Sequence, residues 1–135
     1  MRLALFPVLL FISTIAFAGK VEREFKSTKA EPAVKAAIDA LKKSCGCNVT
    51  FNVAWDSFNT VGKLQKVKYI ADSFPDGVTK QCTDDASKAA MCKLKTIDIK
   101  MADKSDFMYS NGHATFATDG TSAFTFDKLA SEVDK

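Results

Sequence analysis

The apolar positions of this chain change period several times, and each change predicts an element. Val34, Ala37, Ile38, Leu41 and Cys45 recur at helical spacing while Lys35, Asp39, Lys42 and Lys43 fall on the other side, which predicts an amphipathic helix of about three turns from about Glu31. Pro32 suits its first turn and Gly46 its end, so Cys45 lies on the buried stripe close to the terminus. The charged, aperiodic stretch before it, Gly19 to Lys26, is predicted as a loose arm. Val49, Phe51, Val53 and Trp55 then alternate with Thr50, Asn52, Ala54 and Asp56. That pattern predicts a strand with one apolar face, and it assigns Phe51 and Trp55 to the core.

Further along, Val61, Leu64, Val67, Ile70, Ala71 and Phe74 fit a helix beginning near Asn59 or Thr60, although Val67, Tyr69 and Ala71 also alternate as a strand would; helix is the reading adopted. Pro75-Asp76-Gly77 predicts a turn. Val78 to Met91 carries Cys82, a cap-like Thr83-Asp84-Asp85 and a small-residue run from Ala86 to Ala90, which fit short helical turns. Leu94, Ile97, Ile99 and Met101 predict a strand with an irregularity near Thr96. In the last third, Asn111-Gly112 and Asp119-Gly120 separate three short aromatic-bearing segments, around Phe107 and Tyr109, Thr115 to Thr118, and Ala123 to Phe126. Residues from Asp127 to Lys135 fit a terminal helical turn or a frayed end. The expected fold class is α+β: an antiparallel sheet with a C-terminal three-stranded meander, and helices packed on one face.

The first eighteen residues stand apart from this pattern. Met1-Arg2 is followed by an apolar run from Leu3 that ends in Ala16-Phe17-Ala18, the signature of a cleavable secretory signal, with Pro7 within it. Residues 1–18 are therefore expected to be removed, and residues 19–135 to form a single secreted or periplasmic domain that does not span a membrane. Loss of Arg2 takes the formal charge from +3 to +2, and the lysines are spread along the chain, so nucleic acid is not an expected partner.

Export decides how the four cysteines are read. In an oxidising compartment Cys45, Cys47, Cys82 and Cys92 are expected to form two structural bridges, one from each member of the Cys45-Gly46-Cys47 pair to Cys82 or Cys92. The alternative is thiol-disulfide exchange through Cys45 and Cys47, which in principle close a strained, reducible ring. A zinc site is disfavoured by the spacing and by oxidation, and no cofactor is expected.

The remaining chemistry is sparse. His113 is the sole histidine, with no base or nucleophile beside it in sequence, and Ser110 has no nucleophile-elbow context. Asp84-Asp85 reads as a helix-start charge, while Asp98, Asp119 and Asp127 fall on separate elements. No catalytic residues are assigned, and the chain is not expected to be an enzyme. Phe107, Tyr109, Phe116, Phe124 and Phe126 divide between core and display; from the meander, Tyr109, His113 and Phe116 are the candidate binding residues. Asn48-Val49-Thr50 is an N-glycosylation acceptor pattern if the source is eukaryotic. The expected function is a small exported binding protein, an inhibitor or immunity protein with an extracytoplasmic enzyme as partner. A small apolar ligand carrier, with its pocket between helices and sheet, is the further alternative.

Overall fold

The computed structural model describes residues 19–133 and Lys135; the signal-like segment 1–18 lies outside the described residues. Lys20–Phe25, Lys26–Ala30, Glu31–Ala40 and Leu41–Cys45 follow one another with right-handed helical backbone at every junction and make one rod, α1 (20–45). At about 1.5 Å per residue it is roughly 40 Å long. Its second and fourth parts are π-helical turns. The expected loose arm is therefore helical. Its Lys, Glu and Arg residues are good helix formers, and half-buried Phe25 gives it an anchor on the core. Pro32, expected to open a helix, lies inside the rod just after the first π turn, where the wider coil accommodates a residue that has no N–H to donate. Gly46, at φ +76°, ends α1, with its N–H on the Lys42 carbonyl at 3.0 Å and the Cys47 N–H on the Leu41 carbonyl at 3.2 Å.

Strand β1 (Thr50–Val53) follows, then a 3₁₀ turn (Trp55–Ser57) and helix α2 (Val61–Asp72), capped by the Thr60 side chain, which accepts from the Lys63 N–H at 3.2 Å. Helix rather than strand is thus correct for this segment, with Leu64, Val67, Ile70 and Ala71 on its buried stripe. Helix α3 (Phe74–Gln81) begins at once and absorbs the predicted Pro75-Asp76-Gly77 turn. Proline fits the first helical turn. Gly77 is required by packing, since a Cβ there would lie 2.3 Å from the ring of Phe126. Helix α4 (Asp85–Met91) starts on a reciprocal cap between Asp84 and Ser87.

Strands β2 (Thr96–Met101), β3 (Asp106–Ser110) and β4 (His113–Thr118) complete a four-stranded sheet of order β1-β2-β4-β3. Only β3 and β4 are antiparallel; β1 with β2 and β2 with β4 are parallel. The sheet is mixed, which corrects the expected antiparallel one. The three helices between β1 and β2 provide the crossover that a parallel pair needs. The start of β2 is irregular, because the N–H groups of Lys95 and Thr96 both donate to the Gly112 carbonyl, at 2.7 and 3.1 Å.

The meander has two strands, not three. Asn111 (φ +52°) and Gly112 (φ +79°) make the β3–β4 turn, and a Cβ on Gly112 would lie 2.4 Å from the Lys93 carbonyl oxygen. After β4, Asp119 Oδ1 accepts from the backbone N–H groups of Thr121 and Ser122 at 2.9 and 3.0 Å, which takes these donors out of any ladder. The chain then enters helix α5 (Phe126–Val133), its first N–H held by Ser73 Oγ at 2.9 Å.

The helices cover one face of the sheet. Phe74 sits at the centre of the shared core, edge-to-face with Phe51, Phe116 and Phe126 at centroid distances of 5.4, 6.0 and 5.1 Å. Trp55 is only half-buried, outside the strand that was expected to carry it inward, whereas Phe58 takes the inward position.

Candidate functional site

The cysteines bridge as Cys45–Cys82 and Cys47–Cys92, with Cα separations of 5.4 and 5.0 Å. Both bonds leave from the end of α1, one to the end of α3 and one to the end of α4. They hold the helical layer to the entry of β1. Cys45, Cys47 and Cys82 are buried in the core, which hinders attack by an external thiolate. The two halves of Cys45-Gly46-Cys47 are each bonded to a distant residue, as a structural role requires.

The three candidate binding residues do not converge. Phe116 is fully buried, 4.9 Å from Phe107 in an edge-to-face pair, and is part of the core. Tyr109 is half-buried on the same packed face. His113 points the other way, onto the uncovered face of the sheet. Of the other aromatics, Phe107 and Phe126 are core and Phe124 is exposed. The space between helices and sheet, where an apolar carrier would hold its ligand, is filled by Phe74, Phe116, Phe126, Leu64 and Ile70.

Pairing places a defined set of side chains on the uncovered face. Thr50, Thr96, His113 and Ser110 form one cross-strand row, and Asn52, Asp98, Thr115 and Met108 the next. His113 Nε2 lies 2.7 Å from Asp98 Oδ2, a diagonal contact between β4 and β2 that ties the two rows together. The sequence hid this partner, because Asp98 precedes His113 by fifteen residues and only the parallel register brings them together. Met108 is 56 % exposed on the same face. A shallow groove of about 250 Å³ runs beside Asn52, Asp98 and Lys100.

Ser110 stands opposite His113 across the turn, but both are exposed. The pair has none of the enclosure with which an active site excludes water. Among the described residues no three His, Cys, Asp or Glu side chains gather to hold a metal ion. Asp119 instead serves its own loop: its backbone and side-chain hydrogen bonds hold the carboxyl well below the usual carboxylate range. Asp84 is lowered likewise by the Ser87 N–H it accepts, consistent with its cap role. Asn48 of the glycosylation triplet is exposed at the approach to β1.

A second concavity lies where β1 leaves the sheet. It measures about 460 Å³ and runs between the first turns of α1 and the 3₁₀ turn, over a floor of Phe58 and Leu64. Glu22, Arg23 and Lys26 line it from α1, Asp56 and Asn59 from the loop, and Trp55 forms a wall. Lys26 Nζ sits 5.0 Å from the centroid of Trp55 and 3.6 Å from Glu31 Oε1. The sequence signal for this groove is faint. Glu22 and Lys26 share a helix face only if the charged arm is helical.

Among the described residues no helix is long and apolar enough to cross a membrane. Compared with known protein families, with curated proteins and with solved structures, the chain matches none, so its function is read from its own residues.

Proposed function

We propose that this chain is a small exported binding protein that engages an extracytoplasmic enzyme, as its inhibitor or immunity partner, through the uncovered face of its sheet. The observation that carries the reading is the one-sided layering. Among the described residues helices cover only one face, and the other carries a cross-strand set of Thr, Asn, His, Asp and Met side chains, of which the central Thr115 is buried. Exposed Met108 supplies an adaptable apolar contact, and the Asp98–His113 pair a fixed polar one. Two disulfides support an address outside the cytoplasm.

Size constrains the partner. Four strands of four to six residues, at about 3.3 Å per residue and with inter-strand gaps of about 4.8 Å, make a face of roughly 14 by 17 Å. A standard interface buries about 800 Å² on each partner. The partner must therefore also reach the Asn111-Gly112 turn and the rim around Lys100 and Asp106.

The test is inhibition. Hydrolase activities in the native exported fraction are measured with added protein, with Met108→Asp, and with Lys35→Glu on the helical side. One activity is expected to fall with the parent and with Lys35→Glu, and to persist with Met108→Asp. If no activity responds, or if Met108→Asp inhibits as well as the parent, the reading is wrong.

A further inference from the structure

We infer that the groove beside Trp55 is a binding site for a neutral saccharide, separate from the sheet face. Four observations meet there. Trp55 presents a half-buried indole just past the carboxyl end of β1, where the chain leaves the sheet. The cavity, about 460 Å³, is within the roughly 300–1,000 Å³ range of small-molecule sites. Its lining pairs an apolar floor at Phe58 with hydrogen-bonding groups at Glu22, Asp56 and Asn59. Finally, Glu22 Oε2 is buried without a hydrogen-bond partner. A buried acceptor left unpaired is costly, so this oxygen calls for a donor.

The chemistry of the lining selects the ligand class. A sugar ring has an apolar face of C–H groups, which suits an indole, and a rim of hydroxyls that both donate to carboxylates and accept from an amide. Glu22 and Asp56 are set against Arg23 and Lys26, so the lining has no net charge with which to favour a cation or an anion. The π-helical turn that begins at Lys26 is the kind of helix irregularity that accompanies functional sites, and it sets Lys26 across from Trp55. Asn59 has a second duty, accepting from Lys63 Nζ at 3.0 Å, which fixes its amide at the mouth of the groove.

Trp55 is the sole tryptophan, so its emission reports on this groove alone. The purified protein is titrated with maltose, cellobiose and chitobiose, and with choline and inorganic phosphate as cation and anion probes. At least one disaccharide is expected to shift Trp55 emission saturably. Glu22→Gln and Asp56→Asn, whose folding is checked by thermal melting, are each expected to weaken that response tenfold or more, while Lys35→Gln leaves it unchanged. No saturable response to any of the disaccharides would overturn the proposal, as would a response to choline or phosphate alone. An unchanged affinity in both folded carboxylate variants would also overturn it. None of these outcomes bears on inhibition by the sheet face, which Met108→Asp probes separately.

Discussion

Asp119 shows how one side chain can redirect a chain. Its Oδ1 accepts from two backbone N–H groups and from the Thr121 hydroxyl at 2.8 Å, while its own N–H donates to Ser105 Oγ at 3.1 Å. These bonds favour the carboxylate, so the folded carboxyl is lowered below its ordinary value. The stabilisation is therefore fully present above the unfolded pKa of about 3.9 and is lost as pH falls from there through the lower folded value. Asp84 and Glu132, also lowered, add to the same acid limb. Thermal unfolding followed from about pH 6 to pH 2 is expected to show this directly. Asp119→Asn should melt below the parent at neutral pH and converge with it at the acid end, because the substitution removes one contributor to the slope. Parallel curves for the two proteins would contradict the assignment. The same residue accounts for the missing third strand of the meander. Asp119-Gly120 resembles a hairpin turn in sequence, but its side chain uses the donors that a third strand would have needed.

Among the elements, those with a full apolar stripe are legible in the sequence. The α2 stripe and the alternation of β1 through Val53 are both present as expected. Strand direction is not legible, because parallel and antiparallel partners present the same alternation of faces; the three-helix crossover from β1 to β2 alone makes that pair parallel. The first turns of α1 escape for a related reason, since a helix anchored mainly by Phe25 leaves no periodic signal. Cysteine pairing into two long-range bridges is legible from the signal-like sequence of residues 1–18 and the even cysteine count, and its energetic consequence can be measured. The Cys47–Cys92 bridge closes a separation of 45 residues. Chain entropy then assigns it roughly 4 kcal/mol. Urea unfolding of Cys47→Ser/Cys92→Ser is expected to show a loss of that order with Cys45–Cys82 intact. A loss below about 1 kcal/mol would mean that the bridge does little to restrain the unfolded chain.

At the scale of the whole molecule, two disulfides and a cluster of interlocked phenylalanines bind the helices to one side of the sheet, and among the described residues no helix covers the other side. This asymmetry separates the candidate sites. The Trp55 groove lies at the strand ends, between helix and loop, whereas Asp98, His113 and Met108 share the uncovered face. Of the residues singled out from sequence for binding, only His113 lies there; Phe116 qualifies in sequence by its aromatic ring, and that ring proves to be buried. Successive side chains along β4 point to opposite faces of the sheet, so neighbours in the sequence do not form one surface. The central claim is that the uncovered face is where the partner docks. Site-specific photo-crosslinking in the native exported fraction tests it most directly, with the crosslinker placed at Met108 in one protein and at Lys35 on the helical side in another. The account predicts one stoichiometric adduct, with an enzyme, formed from Met108 and not from Lys35. An adduct formed equally from both positions, or only from Lys35, would contradict it.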